Sequence, residues 1–224
     1  VFCPAVEALA DDSTDCFAAD TESKRRIAAC TWVIKNDPKN AEGAYVNRGV
    51  AYAAENDAGR AIDDYVAALA INPRDAAAFH NSGNLWAHEG QYDRAITMYS
   101  RAIEIDHDPK TYRLRANAYY EIKAYGKAIA DYTAIIRANP KDANAYYNRG
   151  RVHKAKRDFD RAIADYSRAI EIVPRMSPFY AFRGDVYAEK GDKDRAIQEY
   201  RKALNISRTD IFALEGLKRL GVQP

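Results

Sequence analysis

Apolar residues recur along this chain with the 3.6-residue beat of amphipathic helices, in paired segments of about 14 residues. The dipeptide Ala-Ile marks one segment of each pair: Ala61-Ile62, Ala95-Ile96, Ala128-Ile129, Ala162-Ile163 and Ala196-Ile197. The spacings, by subtraction, are 34, 33, 34 and 34 residues. Four residues after each of these alanines stands a tyrosine, Tyr65, Tyr99, Tyr132, Tyr166 or Tyr200, and seven after it stands Ala68, Ala102, Ile135, Ala169 or Ala203. Offsets of four and seven share one helix face. Twelve residues before each alanine stands a small residue, Gly49, Gly83, Ala116, Gly150 or Gly184, and helix breakers close several units, as in Asn72-Pro73, Asn139-Pro140 and Val173-Pro174. One such hairpin cannot bury its apolar stripes alone, so the pattern predicts hairpins stacked on one another. The small residues allow close helix approach and the tyrosines fill the space that remains.

Counted so that the small residue takes position 8, the units run 42–75, 76–108, 109–142, 143–176 and 177–210. The second is one residue short, ending Ile105-Asp106-His107-Asp108 before Pro109, which predicts an altered turn there. Five positions held in register across five such units resemble the tetratricopeptide repeat, a 34-residue helix–turn–helix. The resemblance covers residues 42–210 and implies an all-α, right-handed α-solenoid of five full repeats. Residues 11–41 read as a degenerate N-terminal repeat: Pro38 takes the terminal proline position, and Ile27, Cys30, Val33 and Ile34 form the apolar face of its second helix. Residues 211–224 read as a capping helix and tail, with Gly221 as the helix stop.

Two further positions vary together. Position 7 is Arg48, Ser82, Arg115, Arg149 and Arg183, and position 23 is Asp64, Met98, Asp131, Asp165 and Glu199. Every arginine is matched by an acid, and the one serine by a methionine. This predicts an ion pair between the first helix of a repeat (helix A) and the second (helix B), within or between adjacent units, and makes these arginines structural.

Composition narrows the functional classes. With 34 Lys+Arg against 32 Asp+Glu, the net charge of +2 gives nucleic-acid binding by bulk electrostatics no support. No run of about 18 apolar residues is present to span a membrane. The cysteines are Cys3, Cys16 and Cys30. Residues 1–10 read like the end of a signal peptide, with Ala8-Leu9-Ala10 as the cleavage site. Cleavage there removes Cys3 and leaves an even pair, which in an oxidising compartment, the bacterial periplasm, favours a Cys16–Cys30 disulfide joining two facing helices. The other reading of these cysteines is a cytoplasmic protein with buried thiols.

The resemblance also implies where a partner sits: in a concave groove lined by helix A through positions 2, 5, 6, 9, 12 and 13. Here those positions hold Asn47, then His80, Asn81 and Asn84, then Lys110, Arg113, Asn117 and Tyr120, then Tyr147, Asn148, Arg151 and Lys154. Asparagine amides can both donate and accept, which suits a peptide backbone. Lys110, Arg113, Arg151 and Lys154 make the middle of the groove basic and complementary to an acidic segment or a free C-terminal carboxylate. Some family members clamp a C-terminal carboxylate with Lys and Asn. Arg113, Asn117 and Asn148 match that clamp in part, but Pro178 and Phe182 stand where its remaining cations belong. His80 and His88 lie two helical turns apart, about 12 Å, too far to share a metal ion. No motif for nucleophilic, phosphate-binding or metal chemistry occurs, so no cofactor and no enzyme activity are expected. The expected function is a scaffold that binds a protein or peptide partner in its groove. The alternative is a structural module that self-associates through terminal helices or solenoid faces.

Overall fold

A computed structural model describes residues 12–223; the signal-like stretch 1–10, with Cys3, lies outside the described residues. These residues form thirteen helices and no strand. They are α1 (Asp12–Phe17), α2 (Ser23–Asn36), α3 (Ala41–Ala54), α4 (Ala58–Ile71), α5 (Ala76–His88), α6 (Tyr92–Asp106), α7 (Pro109–Glu121), α8 (Tyr125–Ala138), α9 (Ala143–Ala155), α10 (Phe159–Ile172), α11 (Ser177–Glu189), α12 (Lys193–Ile206) and α13 (Ile211–Arg219). The odd-numbered members from α3 to α11 are helix A of each repeat, and the even-numbered members from α4 to α12 are helix B. The chain divides into two compact units, one ending at Thr111 and one beginning at Tyr112. In the first unit each helix packs on the next from α1 to α6, and α3 also touches α5. In the second, α8 to α13 pack in the same sequential way, α11 touches α13, and Ala116 of α7 joins the core of Ala128, Tyr132 and Ile135.

Local chemistry explains the helix ends. Asp57, Asp75, Asp142, Asp192 and Asp210 cap α4, α5, α9, α12 and α13, each accepting from a backbone N–H of the first turn. Such caps contribute about 1 kcal/mol apiece. The A–B turn repeats one left-handed residue at position 15: Asn56, Gly90, Lys123, Arg157 and Gly191 all have φ between 58° and 84°. The short second repeat ends differently from the others. Its helix B runs to Asp106 and stops at His107 with φ 54°, whereas the helix B of the first, third, fourth and fifth repeats stops on a residue with φ between −126° and −138°.

The position 7 arginines form their ion pairs within each repeat. Arg48 meets Asp64 at 2.7 Å, Arg115 meets Asp131 at 2.8 Å, Arg149 meets Asp165 at 2.7 Å and Arg183 meets Glu199 at 2.7 Å. Hydroxyls at position 25 of the preceding helix B are reached as well: Arg48 donates to Thr31, Arg149 to Thr133 and Arg183 to Ser167. The guanidinium groups lie over the tyrosine at position 4, and those of Arg48 and Arg115 also over the tyrosine at position 11, as Arg48 does over Tyr45 and Tyr52 at 5.5 and 5.8 Å. The exchange in the second repeat is therefore collective. Where position 7 is Ser82, position 23 is Met98, positions 4 and 11 are Phe79 and Trp86, and the preceding position 25 is Val66.

At the N-terminus a disulfide joins Cys16 of α1 to Cys30 of α2, with both residues fully buried. Closing a loop of this size stabilises the folded chain by about 3 kcal/mol, mainly through the unfolded state. It holds a six-residue helix that could not persist alone.

Loss of one carboxylate should expose the weight of the ion pairs. Asp131→Ala leaves the part-buried Arg115 without its acid and is expected to cost about 2–3 kcal/mol. Asp63→Ala, on the exposed side of α4, should cost under about 0.5 kcal/mol in the same urea titration.

Candidate functional site

The site is built on the tyrosine of position 24. Its ring lies directly against the small residue at position 8. A Cβ on Gly49 would stand 2.7 Å from the Tyr65 ring, on Gly83 2.5 Å from Tyr99, on Gly150 3.0 Å from Tyr166 and on Gly184 2.9 Å from Tyr200. This close seat carries the phenol hydroxyl to position 9 of helix A. Tyr99 donates to Asn84 Oδ1 at 2.9 Å, Tyr132 to Asn117 Oδ1 at 2.5 Å and Tyr200 to Asp185 Oδ1 at 2.7 Å. Burial raises the pKa of these hydroxyls, that of Tyr132 to about 12, so they remain donors at neutral pH.

The fourth repeat departs from this arrangement. Its position 9 is Arg151, and a guanidinium has no acceptor to offer. Tyr166 is fully buried, and its hydroxyl has no hydrogen-bond partner among the described residues. Burial raises its pKa as well, so it too stays protonated. In the first repeat position 9 is Val50, which lines a cavity of about 250 Å³ together with Tyr65, Asn81, Asn84, Leu85 and His88.

The basic residues of the second unit are not equivalent. Arg113 is neutralised by Asp142 at 2.7 Å, the same aspartate that caps α9. Lys154 is held by Glu189 at 3.0 Å and lies 3.6 Å from Asp185. Arg151 sits over the rings of Tyr120 and Tyr147, at 5.4 and 6.0 Å. Its one side-chain hydrogen bond is a long one, 3.4 Å to Asn148 Oδ1, and it meets no carboxylate among the described residues. Tyr147 is itself packed against Tyr166, Phe179 and Phe182. Around Arg151 opens a cleft of about 460 Å³, lined also by Tyr120, Lys154, Arg157, Tyr166, Phe182 and Glu189.

In the first unit the residues singled out by sequence are partly engaged. His80 shares a hydrogen bond of 2.8 Å with Thr111 Oγ1 and meets the edge of Tyr99, and burial lowers its pKa, so it serves packing as a neutral ring. Asn84 is used by Tyr99, while Asn81 borders the small cavity and Asn47 is half-buried on α3. Lys110 is exposed in the first turn of α7. The sequence reading passed over Tyr166, Arg157 and Glu189, which line the cleft. The signal for Tyr166 was available: position 9 is Asn84, Asn117, Arg151 and Asp185 in successive repeats, and only one of these cannot accept a hydrogen bond.

Two family models of the tetratricopeptide repeat match, one over residues 52–118 and the other over residues 113–181 and 147–211. The chain belongs to the tetratricopeptide repeat family. Members of this family generally mediate protein–protein interaction. Among curated relatives, this tetratricopeptide chain is 35% identical to human tetratricopeptide repeat protein 12 over 81 residues, which is 36% of this chain and 12% of that protein. It is 32% identical to serine/threonine-protein phosphatase T of Aspergillus oryzae over 81 residues, 36% of this chain and 17% of the relative. The matched part is thus a small fraction of either relative. Among solved structures, MamA superposes with a TM-score of 0.67 at 26% identity, covering 71% of this chain and 94% of MamA. YrrB, described as a TPR protein with an unusual peptide-binding site, superposes with a TM-score of 0.71 at 21% identity, covering 86% of this chain and 99% of YrrB.

Proposed function

We propose that this protein is a binding scaffold, not a catalyst, and that the helix-A face of its second unit takes an acidic segment of a partner protein or peptide. The observation that carries the reading is the state of Arg151. The part-buried arginines at positions 5 and 7 of the second unit, Arg113, Arg115, Arg149 and Arg183, are each matched by a carboxylate of this chain. Arg151 is held between two tyrosine rings without one among the described residues. A guanidinium fixed in place before binding and lacking an internal counterion gives an incoming carboxylate a charge-assisted contact at little ordering cost. Asn148 beside it offers an amide for the peptide backbone. YrrB's described peptide-binding site is consistent with this use of the fold, but the assignment to this face rests on this chain's own residues.

Self-association is the second reading, and α13 favours it: Ile211 and Phe212 are exposed there, with the Phe212 ring tilted against Phe182 at 4.8 Å. Light scattering separates the two readings, since the scaffold is a monomer across concentration and the self-associating module is not. We further place the protein in an oxidising compartment, the bacterial periplasm. The buried Cys16–Cys30 bridge supports this placement.

Two measurements test these readings. In fluorescence anisotropy with a glutamate-rich decapeptide, Arg151→Glu should weaken binding at least about tenfold, the scale of one charge-assisted hydrogen bond. Arg168→Glu, on the exposed side of α10, should leave it unchanged. Equal affinity for all three proteins would reject the face. For the compartment, a thiol reagent applied to protein taken from its native extract should label neither Cys16 nor Cys30 until reductant is added. Labelling without reductant would put the protein in the cytoplasm.

A further inference from the structure

The peptide reading leaves open what the partner must present to the cleft of the fourth repeat, and the Tyr166 hydroxyl bears on that. This phenol is fully buried, like its counterparts in the other repeats. Tyr99, Tyr132 and Tyr200 spend their hydroxyl protons on an acceptor at position 9, and Tyr166 has none among the described residues. A buried donor without an acceptor costs the fold free energy. Tyr166 lines the cleft, and the charges that act on its hydroxyl include Arg151. The vacated acceptor position and the uncompensated cation therefore belong to one substitution, the arginine at position 9.

The remaining walls narrow the ligand. Lys154 is already paired with Glu189, and Asp185 lies on its other side and also holds Arg219. Arg157 stands exposed at the rim, over Phe159. The interior charge left to satisfy is that of Arg151. A group with one negative charge balances it, whereas a dianion would also confront Glu189 and Asp185. The flanking walls, Tyr120 and Phe182, are aromatic and suit a short apolar stem. A carboxylate fits all three requirements: one charge, acceptor oxygens for two donors, and a carbon stem.

We propose that the cleft of the fourth repeat is an anchor for a single carboxylate, which accepts from the Tyr166 hydroxyl with one oxygen and from the Arg151 guanidinium with the other. This rests on the peptide reading and names the group that reading requires. The site differs from a clamp of lysines and asparagines along helix A, because one of its two donors comes from the helix-B tyrosine that also holds the repeat together. The carboxylate can come from a glutamate side chain or from a chain terminus, and the two sources are separable by experiment.

The test is an NMR titration of the full chain with three short peptides: acetyl-Gly-Glu-Gly-amide, acetyl-Gly-Gly-Ala with a free C-terminus, and acetyl-Gly-Gln-Gly-amide. At least one of the two carboxylate peptides should produce saturable shifts at the Arg151 Nε–H, and the tighter of the two identifies the source. The glutamine peptide should not. Tyr166→Phe keeps the ring that packs on Gly150 and should weaken the carboxylate peptide about tenfold. Arg168→Glu, on the exposed side of α10, should leave it unchanged. Shifts on the helix-A face that are the same in wild type and Tyr166→Phe would overturn the anchor while leaving the peptide reading intact. Equal binding of the glutamine peptide would also overturn the anchor, and no shift on that face with either carboxylate would overturn both.

Discussion

A tyrosine ring pressed against a residue with little or no side chain is the contact on which this molecule depends. In each repeat the position 24 phenol lies where a larger residue at position 8 would collide with it, and so the distance between helix A and helix B is set by the ring. The same contact recurs at the C-terminus, where a Cβ on Gly216 of α13 would stand 2.3 Å from Tyr200. Because the ring crosses the hairpin, its hydroxyl emerges at helix A. The fold thus carries the phenolic donor of a repeat toward position 9 of helix A, as for Tyr99, Tyr132 and Tyr200. Whether that donor is consumed internally depends on one side chain, the residue at position 9.

A second, separate set of contacts holds the repeats in register. The position 7 arginine joins its own helix B through a carboxylate and, in Arg48, Arg149 and Arg183, the preceding helix B through a hydroxyl. With the guanidinium also lying over the tyrosine at position 4, each such arginine has its charge engaged within the chain. This division of labour is what makes Arg151 informative. It sits two residues from Arg149 on the same helix, yet on another face and in another electrostatic state.

Much of this was legible in the chain itself because the repeat supplies its own internal comparison. The hairpins, the tyrosine seam and the pairing of Arg115 with Asp131 follow from positions that recur and from the one unit in which they change together. Cys16 and Cys30 could be paired because so few cysteines were available. The true charge of the helix-A face was hidden. Arg113 looked free because its partner, Asp142, is the last residue of the same repeat and also caps the helix that follows. Lys154 looked free because Glu189 and Asp185 come from α11. Such pairs join unlike positions, within a repeat for Arg113 and across two for Lys154, and no periodicity announces them. The unmet hydroxyl of Tyr166 was hidden for another reason: its residue type is the common one, and the exception lies in its neighbour.

The hydroxyl of Tyr166, alone among those of Tyr99, Tyr132, Tyr166 and Tyr200, has no partner among the described residues and adds no hydrogen bond to the fold of the free protein. Equilibrium urea unfolding of Tyr132→Phe and Tyr166→Phe measures this directly. Loss of the bonded Tyr132 hydroxyl should lower stability by about 1 kcal/mol, and loss of the Tyr166 hydroxyl should leave stability unchanged or raise it. Equal destabilisation by the two substitutions would mean that Tyr166 is satisfied within the free chain, and would contradict the account.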